Sequence, residues 1–147
     1  MGQEDDLIEQ QNSLFQMLHR AEQRAKALFA KEVAEHGLTV RQFVILSAVG
    51  ANEGAMLMDI VSLTGIDRST MTEVIGRMVA RGLLARKRSP QDARKYMVRT
   101  TSAGREKLAL AEIASKRASE EFLAALPSGQ RNCFVHALML AANFDAS

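Results

Sequence analysis

The stretch from Gly65 to Arg99, GIDRSTMTEVIGRMVARGLLARKRSPQDARKYMVR, leaves little freedom in how this chain can fold. Gly65 tolerates positive φ and so ends the helix before it. Asp67 is placed to cap the next helix, with Ser69 as the alternative cap. Met71, Val74, Ile75, Met78 and Val79 recur at helical spacing, and Arg81-Gly82 follows them. That pattern predicts an amphipathic helix with a defined stop. β-Formers flank the turn Ser89-Pro90-Gln91-Asp92-Ala93, which predicts a hairpin of residues 83–88 against 95–99.

Charge is gathered in the same place. From Arg68 to Arg99 nine residues are basic and two are acidic, a net +7, whereas the whole chain carries only +2. Everything outside the segment therefore sums to −5. A fold that collects its positive charge on one helix and one loop presents a polyanion-facing side.

The flanking sequence predicts helices. Leu7, Leu14, Leu18, Ala21, Ala25, Leu28 and Phe29 define one long helix over residues 6–35, stopped by His36-Gly37. Thr39 with Gln42 forms a capping box for a helix whose core face is Phe43, Val44, Leu46 and Val49. A short helix follows over 56–64, with Ile60, Val61 and Leu63 turned inward and no polar cap at its start. Thr100-Thr101-Ser102 caps a long helix over 102–124 that carries Leu108, Ile113, Phe122 and Leu123. Pro127-Ser128 then restarts a last apolar helix. The expected fold class is mainly α with a small β-hairpin.

Two helices joined by a short glycine-containing turn match the helix-turn-helix signature, and a hairpin directly after it is a wing. Small polar and cationic residues at the start of the second helix stand where base-edge contacts occur when such a helix enters the major groove. Arg68, Ser69, Thr70 and Thr72 are the candidates for bases or phosphates. Arg77, Arg86, Lys87 and Arg88 are candidates for phosphates. The hairpin tip, with Asp92, Arg94 and Lys95, suits a narrowed minor groove.

Taken together, the ordered motifs Leu38-Thr-Val-Arg-Gln-Phe43, Gly65-Ile-Asp-Arg-Ser-Thr70, Arg81-Gly-Leu-Leu-Ala-Arg86, Ser89-Pro-Gln-Asp-Ala-Arg94 and Thr101-Ser-Ala-Gly104 resemble the MarR family of transcriptional regulators. The resemblance covers residues 38–108 by motif and the flanking helices by pattern. It implies a homodimeric winged helix-turn-helix regulator, more often a repressor than an activator. Its partner is double-stranded DNA carrying a pseudo-palindromic operator, and a small-molecule ligand or an oxidant changes its DNA affinity. It divides the chain into an N-terminal dimerisation helix (1–37), a DNA-binding region (38–100) and C-terminal dimerisation helices (101–147). By motif, 67–77 is the recognition helix and Arg94 the wing-tip arginine. Asp92 braces the Arg94 guanidinium, or is itself braced by Arg86 across the hairpin. Met56-Leu57-Met58 departs from the family, which has polar capping residues there. Many family members bind aromatic carboxylates, some as coenzyme A thioesters. His19 and Arg20, with Phe15 nearby, are the expected anion-binding residues for such an effector. The alternative function is a ligand-independent architectural DNA-binding protein, which would not distinguish operator from scrambled duplex.

Other chemistry finds little support. Cys133, the single cysteine, sits among Phe134, Val135 and Leu138 and reads as a buried apolar residue. Paired with His136 it lacks an orienting group or an oxyanion motif, so no enzymatic activity is expected. The redox-sensing branch of the family places its cysteine near the N-terminal helices, where this chain has none. His19, His36 and His136 have no paired metal-ligand spacing, and neither a metal nor another cofactor is expected. No apolar run reaches the roughly 18 residues of a membrane span. The N-terminal MGQEDDLIEQ is acidic and polar, unlike a secretory leader, so a cytoplasmic protein is expected.

Overall fold

A computed structural model describes residues 11–142. Its elements are α1 (Gln11–Ala34), α2 (Val40–Ala51), β1 (Ala55–Met56), α3 (Leu57–Thr64), α4 (Arg68–Ala80), β2 (Leu84–Arg88), β3 (Tyr96–Thr100), α5 (Ser102–Leu123), a 3-10 turn (Ser128–Gln130) and α6 (Arg131–Ala142). The expected start of the first helix and Leu7 lie outside the described residues.

Contacts divide the chain into two compact units. One is Phe29–Ser115. The other holds the described residues up to Leu28 and from Lys116 onward.

In the Phe29–Ser115 unit the local signals decide where helices begin. Thr39 Oγ1 accepts from Gln42 N at 3.1 Å and Gln42 Oε1 accepts from Thr39 N at 3.0 Å, the reciprocal box that its sequence predicts. α3 lacks a capping side chain at Met56, but Asp59 Oδ2 accepts from Met56 N at 3.2 Å and supplies half of the same device. Gly65 takes a left-handed φ of 68° and releases the chain from α3. Thr101 Oγ1 accepts from Gly104 N at 3.0 Å at the head of α5.

The core is built from Val33, Leu38, Ile45, Leu46, Val49, Ile60, Met71, Ile75, Met78, Leu84 and Val98, with Phe43, Val61 and Val79 packed around it. Several expected core positions are elsewhere. Val44 is exposed and Ile45 is buried, while the expected Leu46 and Val49 are buried, so the apolar face of α2 has its border between residues 44 and 45. Leu63 is 60% exposed and Ile113 is 56% exposed.

The sheet is antiparallel with the order β1-β3-β2. β2 and β3 form the expected hairpin, starting one residue later on each side, with Leu84 opposite Thr100 and Arg88 opposite Tyr96. β1 is additional: Ala55 pairs with Val98 and Met56 with Met97. Glu53 fixes this edge, accepting from Thr100 N at 3.0 Å and from the Thr100 hydroxyl.

In the other unit, Arg24 lies 5.2 Å from the Phe122 ring centroid and donates to the carbonyls of Phe122 and Glu121 at 3.2 and 3.4 Å. Those carbonyls belong to the last turn of α5 and have no acceptor role left within the helix. Phe122 packs on Phe134 of α6 with centroids 6.2 Å apart. Leu14, Phe15, Met17 and Leu18 of α1 and Leu138, Met139 and Leu140 of α6 are exposed in the single chain. Cys133 is exposed too, not buried as its apolar neighbours suggested, because α6 turns its apolar residues outward in the single chain. Among the described residues, no helix is long and apolar enough to cross a membrane.

Candidate nucleic-acid interface

The start of α4 is set by Asp67. Its Oδ1 accepts from Thr70 N at 2.9 Å and its Oδ2 from the Thr70 hydroxyl at 2.7 Å. Asp67, not Ser69, is therefore the N-cap. The Thr70 backbone N–H and then its hydroxyl hold the Asp67 carboxyl below the usual aspartate range. Capping in this way leaves Arg68 and Ser69 exposed, with no side-chain hydrogen bond among the described residues. Thr72 is exposed and donates its hydroxyl proton back to Arg68 O at 2.9 Å, so its oxygen remains an acceptor. Met71, Val74, Ile75 and Met78 bury the opposite face. One turn further along, Arg77 is exposed and paired with Glu73 on the same helix.

The wing turn closes through backbone bonds. Ser89 N donates to Lys95 O at 2.8 Å and Lys95 N to Asp92 O at 3.0 Å. Asp92 Oδ1 accepts from Arg94 N at 3.0 Å, a local turn that shapes the tip. The expected brace of the guanidinium is weaker than the motif suggested. Arg94 Nε stands 3.8 Å from Asp92 Oδ1 and the Arg94 side chain is 95% exposed. The carboxylate is already engaged by the backbone, so the arginine projects freely. Lys87 and Lys95 are also exposed.

Arg86 does not reach Asp92. It lies 5.5 Å from the Tyr96 ring centroid, and Arg88 lies 5.4 Å from the same ring. Arg88 also donates to Ala93 O at 2.9 Å. Sequence reasoning counted Tyr96 only as a β-former. Its contacts depend on the hairpin register, which places it directly opposite Arg88 and diagonal to Arg86.

These parts converge. A cleft of about 310 Å³ is lined by Met58 and Asp59 of α3, Arg68 and Thr72 of α4, and Arg94 and Tyr96 of the wing, among others. Cations and a hydroxyl acceptor from two elements thus border one concave face. The predicted effector residues are not gathered in this way: Phe15, His19 and Arg20 are all exposed along α1.

A family model described as MarR family matches residues 36–95. The chain is similar in structure to BpsR of Bordetella bronchiseptica, whose DNA binding is regulated by 6-hydroxynicotinic acid. The TM-score is 0.80 at 32% identity, over 87% of this chain and 91% of BpsR. This chain belongs to the MarR family. As a MarR-type protein it is a transcriptional regulator with a winged-helix fold. Another MarR-like structure, the transcriptional repressor CouR bound to a 23-mer DNA duplex, has a TM-score of 0.79 at 31% identity, covering 86% of this chain and 89% of CouR. The transcriptional repressor NicR of Pseudomonas putida is 29% identical over 122 residues, 83% of this chain and 77% of NicR.

Proposed function

We propose that this MarR-family regulator is a homodimeric, sequence-specific repressor, released from a pseudo-palindromic operator by a small aromatic acid or its thioester. The observation that carries the DNA reading is the cleft shared by α4 and the wing, with Arg68, Thr72 and Arg94 on its walls. α4 enters a major groove with Arg68, Ser69, Thr70 and Thr72 leading, while Arg94 and Lys95 reach the adjacent minor groove. Arg77, Arg86, Lys87 and Arg88 take phosphates, and Asp92 shapes the tip that presents Arg94. Thr70, whose proton is committed to Asp67, acts as an acceptor.

The exposed apolar residues of α1 and α6 supply the dimer contact, which sets two reading heads about one helical turn of DNA apart. The regulation of BpsR by 6-hydroxynicotinic acid supports a carboxylated aromatic effector, for which Arg20 provides a cationic group and His19 an imidazole beside Phe15. By linkage such an effector binds the free dimer more tightly than the operator complex.

The test is a titration of the purified protein against a duplex enriched from a random pool and against its scrambled version. A preference for the enriched duplex, reduced by an aromatic acid, is the expected result. Equal affinity for both duplexes sinks the sequence-specific reading. Equal effector affinity with and without operator sinks the release mechanism.

A further inference from the structure

The wing's cations are not all free-swinging. The β2–β3 register places Arg86 and Arg88 on the sheet face that also carries Leu84, Val98 and Tyr96. Nearer the base this face is buried, through Leu84 and Val98. Towards the tip it becomes an arginine pair gathered on one aromatic ring, with guanidinium carbons 5.5 and 5.4 Å from the centroid. We propose that Tyr96 is the positioning residue of the wing, its ring holding Arg86 and Arg88 ready for consecutive phosphates of one DNA strand. The proposal rests on the DNA-binding reading above and names the device that makes it effective.

Two guanidinium groups near each other repel, and in solution each would swing away. The negative face of an aromatic ring attracts both and offsets that repulsion. A guanidinium held against a ring still offers its N–H edge to a planar or tetrahedral anion. Arg88 commits one guanidinium donor to Ala93 O, which ties its head group to the turn. Arg86 has no hydrogen-bond acceptor among the described residues, so its donors are available. Ordering these long side chains before contact removes part of the entropy that phosphate binding otherwise costs. Tyr96 also lines the cleft that holds Arg68 and Thr72, so one ring borders both the wing and the recognition helix.

The experiment is anisotropy titration of the full chain with the duplex that the unaltered protein enriches, repeated over a salt series. The variants are Tyr96→Phe and Tyr96→Leu, alone and in an Arg86→Ala/Arg88→Ala background. Phenylalanine keeps the ring and should hold affinity within about twofold. Leucine should weaken binding about three- to tenfold. It should also make the plot of log K against log salt shallower by about one to two counterions. In the double-alanine background leucine should cost nothing further. Should leucine disturb the hairpin, Tyr96→Thr repeats the comparison with a residue suited to strands. Unchanged or tighter binding by Tyr96→Leu overturns the proposal, and so does an equal loss in the double-alanine background. If the unaltered protein binds no DNA, the proposed function falls and takes this inference with it.

Discussion

Arg94 projects from the wing with its side chain 95% exposed and a single carboxylate contact at 3.8 Å. Removing it therefore takes away almost no packing. Arg94→Ala should leave the melting temperature unchanged while weakening operator binding by about 1–3 kcal/mol, the usual worth of an arginine that reaches into a groove. Calorimetry and a gel-shift titration on the same preparation check both halves. Asp67 makes the opposite kind of contribution. Its carboxyl is held below the usual range by the Thr70 N–H and hydroxyl, so the ionised form favours the folded state. That stabilisation is fully present above the ordinary aspartate value, about 4, and is lost as pH falls through the lower folded-state value. The difference in melting temperature between the unaltered protein and Asp67→Ala should accordingly be constant at neutral pH and shrink below about pH 4. A gap that widened on acidification would contradict the assignment. Asp67 was legible in the sequence because a cap acts over three residues. The Tyr96–Arg86–Arg88 group was not, because it exists only once a register has been chosen.

Helices and strands show the same division between local and non-local causes. The Thr39–Gln42 box, Gly65 and the Thr101 cap are short-range devices, and the boundaries they set match the sequence reading closely. β1 is two residues long and shows no alternation. It exists because β3, more than forty positions later, offers an edge, and nothing near Ala55 and Met56 announces that. Exposure of Val44 and Leu63 was likewise hidden, since periodicity identifies an apolar stripe but not its borders. α5 carries the severest local constraint. A Cβ added at Gly104 would stand 2.0 Å from the Leu83 carbonyl oxygen. That obstacle is backbone at the junction of α4 and β2, and it cannot swing aside. Gly104→Ala should destabilise the protein by about 3 kcal/mol, the upper range of overpacking, as read from chemical denaturation. Gly76→Ala, with nothing within 4 Å of the added Cβ, is the control and should be neutral or slightly stabilising.

At the scale of the molecule, the segregation of +7 from −5 is the feature the sequence displayed most openly. Function class followed from it; the effector did not, since Phe15, His19 and Arg20 form no enclosed site in the single chain. If the four phosphate-directed cations of each head, Arg77, Arg86, Lys87 and Arg88, all make contact, a dimer makes about eight such contacts, and operator affinity should drop about ten-thousandfold between 50 and 200 mM salt. A shallow dependence would mean that the wing stays clear of the duplex.

The turn after α1 is clamped from two sides, by Lys107 Nζ on His36 O at 2.8 Å and by Arg81 on Gly37 O at 2.9 Å. Arg81 is also the C-cap of α4. The turn after α1 and the end of α4 are therefore tied to each other through one guanidinium. Three helix ends thus meet at two neighbouring carbonyl oxygens, so substituting Arg81 would leave Lys107 as the remaining side-chain tie on that turn.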